Sequence, residues 1–360
     1  MAAILSGLSA IVAVVMAIAL LDQWRERRRP YQLAWAIGSL LFGIAAAAEG
    51  IGAASGWTPE LFKAWYLAGA VLNAAWLGLG TAFLLGRTRF GYAYAVLLAL
   101  GGIFTVLSQA KNHYADVGSL PILYLIFALV LALAVGVETY FQNSQWPRIA
   151  AAGVAAITVL GSVFVVIAAL PAGPLALDTH GIPVLDPLPG SLRLLTPLMN
   201  VPGGLALILG ALFSAYVFMP KRRVLGYSLD PNQTGDQVLF NLLIAPVAIV
   251  VNFVASLPGA LAALVRGRLH SRVPATLLIA IGALFVTGTD FGVKGGETTV
   301  FELSKLVSIV LIFAGFLVSI EAFREIRIPF TSIRLARPRR EPTVTPDIAA
   351  EPPAEGATAR

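Results

Sequence analysis

The feature that most constrains this 360-residue chain is a series of apolar runs, each about twenty residues long, separated by short polar connections. The runs fall at roughly 3–22, 31–54, 60–85, 90–110, 121–141, 148–170, 195–219, 274–292 and 299–320. At ~1.5 Å of rise per helical residue, each is long enough to cross the ~30 Å hydrocarbon core of a bilayer. Only 12% of the residues are charged, against roughly 25% in soluble domains, and mean hydropathy is +0.82. A chain so poor in charge cannot cover its own surface in water. The reading is an all-α integral membrane protein with about nine transmembrane helices.

A further apolar run, 238–264, behaves differently. Pro246 and Leu257-Pro258-Gly259 interrupt it, and it carries Asn241 and Asn252. It reads as a re-entrant or interfacial helical pair that returns to the cytoplasmic side, since irregular backbone at membrane depth must be covered by protein or water. The transmembrane domain then spans 1–330. Residues 331–360, rich in Pro, Ala, Glu and Arg without apolar periodicity, read as a disordered cytoplasmic tail.

Lys and Arg alternate between rich and poor along the connections. With nine crossings, twenty of the 25 basic residues share one side, and Lys63, Lys111, Arg193, Lys294 and Lys305 remain on the other. The positive-inside rule then places the N-terminus outside and the C-terminus in the cytoplasm of a cell-membrane protein. The first run starts without a basic segment, and Arg25, Arg27, Arg28 and Arg29 follow it. That order fits a permanent span rather than a cleaved signal peptide. The net charge of +6 is explained by these loops, so nucleic acid is not an expected partner. The expected partners are the lipid bilayer and a membrane protein or second copy of the chain.

Chemistry-bearing motifs are scarce. The chain has no cysteine, which excludes disulfides, thiolate nucleophiles and iron–sulfur clusters. His113, His180 and His270 all fall in connections, where they cannot serve as axial ligands of a membrane haem. Asp178, His180 and Asp186 match no established metal spacing, and a structured loop rich in proline is the simpler reading. No catalytic residue, cofactor or metal site is assigned. The polar residues that remain are Glu49, Lys63, Asn200, Asp290, Glu302 and Lys305, from five different spans, each within a few residues of the outer interface. Ionisable groups in membrane helices are functional candidates. These six are therefore the candidate ligand site, an outward cavity roofed by loop 171–194, in which Glu49 pairs with Lys63. Asn200 precedes Val201-Pro202-Gly203-Gly204, where the seventh span either breaks to face a ligand or packs closely through its small residues.

The segment SLRLLTPLMNVPGGLALILGALFSAY (Ser191–Tyr216), with LLIAIGA (Leu277–Ala283) and IFAGFLV (Ile312–Val318), resembles uncharacterised bacterial multi-pass membrane proteins of unknown function. Relative to shorter members, 238–264 looks like an insertion. Trp35, Glu49, Trp57 and a Tyr66-containing third span also resemble, in layout, the membrane-sensor region of some bacterial histidine kinases, although no kinase domain follows. Neither likeness implies an activity. Three functions stay open: a non-enzymatic sensor or accessory subunit, a small-solute transporter or channel, and a membrane enzyme acting on lipid or isoprenoid substrates.

Overall fold

The computed structural model describes residues 1–141, 144–170, 174–228, 237–266, 268–292, 298–319, 326–327 and 334–335. Its helices are α1 (Ala2–Arg27), α2 (Pro30–Ser55), α3 (Pro59–Leu84), α4 (Phe90–Asn112), α5 (Leu120–Tyr140), α6 (Trp146–Ile167), α7 (Leu195–Phe218), α8 (Val238–Val265), α9 (Arg272–Gly292) and α10 (Thr298–Val318). Among the described residues, nine of these ten helices, α1 to α8 and α10, are long and apolar enough to span a membrane, and α9 contributes a shorter apolar stretch, Arg272–Phe285. The chain is an all-α multi-pass membrane protein. Its outer surface agrees: along α5, Ile122, Ile126, Leu129, Val130 and Leu133 are all strongly exposed, an apolar face that water would not tolerate.

Local sequence explains where the helices begin. Pro30, Pro59, Pro121 and Pro147 occupy first-turn positions, where the missing N–H costs nothing. At α3 the Thr58 hydroxyl also accepts the Leu61 N–H at 3.2 Å, capping the helix in the usual way. Within α3, residues Tyr66–Leu72 widen into a π-helical stretch.

Helix α7 is central, packing on α3, α4 and α9. Two cores lie beside it, one built from α3 to α7 and the other from α1, α2, α3, α7, α9 and α10. Small residues set the closest approaches. Gly203 of α7 packs directly on the α3 backbone at Ala74, and Gly78 packs directly on the Gly203 backbone, so a Cβ at either position would collide. The expected choice at Asn200–Gly204 is therefore settled as close packing, because α7 runs unbroken through Pro202. The Leu198 carbonyl, which Pro202 cannot bond, lies against Gly101 of α4, where a Cβ would sit only 3.0 Å from it.

The α7–α9 register decides the path of the chain. Ala215, Tyr216 and Met219 cluster with Val273, whereas Leu207, Ile208 and Ala211 cluster with Ile279, Ala280 and Ala283. The two helices are antiparallel, and the Arg272 guanidinium lies 4.3 Å from the Phe218 ring centroid. The chain leaves α7 and enters α9 at the same end of the bundle. Segment 238–264 is not a helical pair, however. It is one 28-residue helix that continues through both Pro246 and Pro258. Each proline removes one backbone bond and kinks a helix without having to end it. Of the tail expected to be disordered from 331 on, only Arg334 and Leu335 are described, paired antiparallel with Ile326–Arg327.

Candidate functional site

At the end of the bundle holding the N-terminus of α1, the final turns of α2 meet the first turns of α10. Glu49 of α2 and Glu302 and Lys305 of α10 converge there in the interior. Lys305 Nζ donates to Glu49 Oε2 and, at 2.8 Å, to Glu302 Oε1. Trp65 Nε1 of α3 donates to the other Glu49 oxygen at 2.8 Å, and Ser6 Oγ of α1 to the other Glu302 oxygen at 2.7 Å. Each of the four carboxylate oxygens thus has one donor. Glu49 and Glu302 are only 9% and 3% exposed, so these bonds replace a solvation shell that burial has removed. Four helices are tied at one point.

The spacing on α10 explains half of this. Glu302 and Lys305 are three residues apart and share a helix face; α10 packs on α1, and Lys305 reaches across to Glu49 of α2. The small-residue contact between α1 and α2, seen where Gly43 meets Val14 and Gly50 meets the Ala3 carbonyl, brings Ser6 to the same level.

A hairpin roofs the cluster. Asp178 N–H donates to Ile182 O at 2.8 Å and Val184 N–H to Ala176 O at 2.9 Å. The tip is held by Trp57 Nε1 donating to Gly181 O at 3.0 Å, and the His180 ring stacks on Phe301 at 4.7 Å between centroids. Phe301 also receives the Lys305 ammonium, 4.4 Å from its centroid, a favourable cation–π placement. One aromatic ring therefore touches both the roof and the ionic cluster. Asp178 is used inside the loop, accepting from the His180 and Ile182 N–H groups at 2.8 and 3.0 Å. Asp186 pairs with Arg193 at 3.2 Å. Among the described residues, no three His, Asp or Glu side chains form a metal-holding group.

Of the six residues expected at this site, Glu49, Glu302 and Lys305 come together, and Lys63 and Asn200 do not. Lys63 is not the partner of Glu49. Its Nζ donates to Val166 O at 2.9 Å, a carbonyl in the last turn of α6 that has no helical partner of its own. The residue that does reach Glu49 across the α2–α3 turn is Trp65, two positions further on. Asn200 stands apart, its Nδ2 donating at 2.8 Å to Ala70 O within the π-helical stretch. The Asp290 side chain lies outside the described residues. Sequence reasoning missed Ser6, a lone hydroxyl in an apolar run. Trp65 was missed as a donor to Glu49, although an indole N–H sixteen residues from a membrane carboxylate was a usable signal.

No family model, curated protein or solved structure matches this chain.

The other recess in the bundle has a different character. A crevice among α3, α4, α5, α6 and α7 is walled by Leu98, Phe127, Leu131, Ile157, Leu198 and Met199, with Gly203 at its base. Its lining carries no charged group.

Proposed function

We propose that this chain is a non-enzymatic membrane sensor or accessory subunit whose receiving element is the Glu49–Lys305–Glu302 centre beneath the 176–184 hairpin. The observation that carries this reading is the saturated, four-helix ionic cluster coupled through Phe301 to the loop above it. With both carboxylates ionised, the centre bears two negative charges against one positive. A small cationic solute entering under the hairpin competes with Lys305 for the carboxylates, and any exchange alters how α1, α2, α3 and α10 are tied. Transport finds less support, because α7 is continuous and the Gly78–Gly203 contact closes α3 on α7. An enzymatic reading finds less still, since each carboxylate oxygen is already occupied by a donor.

The same reading sets the orientation. Among the described residues, the end away from the hairpin carries the basic connections around Arg25–Arg29, Arg87–Arg89 and Lys221–Arg223. The positive-inside rule then makes the hairpin end external and the C-terminus cytoplasmic. Alkaline phosphatase and fluorescent-protein fusions at the C-terminus test this, and phosphatase activity there reverses it.

Native mass spectrometry of the whole protein, released from its membrane, tests the function. A small cationic adduct held by the wild type and lost in Glu49→Gln supports the proposal. An adduct unaffected by Glu49→Gln, or a metabolite converted to product on incubation, overturns it.

A further inference from the structure

Helix α8 presents two unlike faces. Phe240, Leu243, Val247, Val250, Val254 and Leu261 are between 57% and 77% exposed, and their spacing of three, four or seven residues places them on one face of the helix. The opposite face holds Asn252 and Ser256, both fully buried. These two side chains grip the segment that follows α7. Asn252 Oδ1 accepts the Val224 and Leu225 N–H groups at 2.7 and 2.9 Å, and its Nδ2 donates to Leu225 O at 2.9 Å. Ser256 Oγ accepts the Arg222 N–H at 2.9 Å. Residues 222–225 are thereby strapped to α8 with their backbone groups satisfied by side chains.

The strap gathers charge. Lys221, Arg222 and Arg223 are exposed along it, and Arg266 and Arg268 are exposed just past the end of α8. Pro220 approaches Gly259, so the strap starts beside the final turns of the same helix. No acidic residue lies between Met219 and Asp230, or between Gln237 and Thr289. Lys221 sits below the usual lysine range, through partial desolvation first and then the Arg223 charge beside it. A negative group placed there would relieve that repulsion.

We propose that α8 lies along the membrane surface rather than across it, with its stripe in the acyl region and Lys221, Arg222, Arg223, Arg266 and Arg268 binding the phosphates of anionic phospholipids. Three observations carry this together. The chain leaves α7 and re-enters α9 at one end, the apolar stripe runs along α8, and five cations collect on the strap it grips and just past its end. In-plane amphipathic helices have this division between an apolar face and a basic one, and clusters of four to eight basic residues at a membrane surface select anionic headgroups. Charge complementarity thus favours anionic lipid over a second copy of the chain, which would bring the same cations.

The experiment uses the full chain, which is naturally free of cysteine. Single variants Leu243→Cys, Val254→Cys and Leu261→Cys carry a nitroxide in nanodiscs of phosphatidylcholine mixed with phosphatidylglycerol, and depth is read by power saturation. All three labels are expected at one shallow depth. A label at Val254 much deeper than those at Leu243 and Leu261 shows a crossing helix and overturns the proposal. Native mass spectrometry of the wild type from the same discs is expected to retain phosphatidylglycerol several-fold over phosphatidylcholine. The quintuple variant K221Q/R222Q/R223Q/R266Q/R268Q is expected to bring the two lipids to parity. Equal retention by the wild type, or a dimer whose interface shields the stripe from the probe, also overturns it.

Discussion

The two sides of the bundle solve the same problem in opposite ways. Where α1, α2 and α10 meet, Glu49, Glu302 and Lys305 sit in the interior and each oxygen of the two carboxylates meets a donor. On the side of α4, α5 and α6, the interior crevice is lined by Leu98, Phe127, Leu131 and Ile157, with no charged group among its walls. Both sides lie in a chain of the same overall hydropathy. In the Glu49–Lys305–Glu302 cluster the charges form a closed set, in which each member needs the others. The apolar side tolerates looser packing because an unfilled gap there costs dispersion contacts and strands no charge.

The sharpest way to break that contrast is Lys305→Met. It strands two buried carboxylates, and a buried ion pair that loses one member is destabilised by about 3–5 kcal/mol. Thermal unfolding in a single detergent should show the largest fall in Tm of any single variant considered. Adding Glu49→Gln to Lys305→Met should recover part of the loss, because coupled groups are not additive.

Removing a donor rather than the cation should cost less. Trp65→Phe keeps an aromatic side chain, though a smaller one, and deletes the N–H that Glu49 accepts, and hydrogen bonds to charged groups contribute about 1.5–3 kcal/mol. The same unfolding assay checks this, with Trp57→Phe as a comparison that leaves the Glu49 bond in place.

On the apolar side the sensitive feature is shape. Gly203→Ala pushes a methyl into the α3 backbone at Ala74, and overpacking of this kind costs about 1–3 kcal/mol. Binding of a cationic adduct at the Glu49 centre should survive that change in native mass spectra, because the two sites lie in separate cores.

The smallest effect is expected at Lys63. Its ammonium contacts the Val166 carbonyl near the surface, so Lys63→Met should stay within about 0.5 kcal/mol of the wild type. It should also add to Glu49→Gln without coupling. Strong coupling between them would mean that Lys63, and not Lys305, is the partner of Glu49, and the closed-set account of the charged side would fail.

Much of the fold was legible because its signals are local. Apolar runs of spanning length set helix number and length, and Thr58-Pro59 marks the start of α3 by its own chemistry. Parts of the site were legible for the same reason. Glu302 and Lys305 share a helix face at a spacing readable from sequence. What could not be read was which distant residue faces which. Lys63 is fourteen positions from Glu49 and the natural guess for its partner, yet Lys305 is 256 positions away and takes that place. The prolines misled in a related way. Pro202, Pro246 and Pro258 each announce a lost backbone bond, but whether a helix breaks there depends on what covers the freed carbonyl.

The sequence by itself determined that this chain lives in lipid, that it is helical, and that its charge is confined to connections and a few helix ends, because desolvation acts on every residue wherever it packs. Only the tertiary structure decided that Asn252 holds a strap and that Glu49 closes on α10. Those outcomes depend on helix–helix registers set by small residues such as Gly43, Gly78 and Gly203. A register between distant helices is fixed by the fit of two surfaces, and neither surface alone contains it.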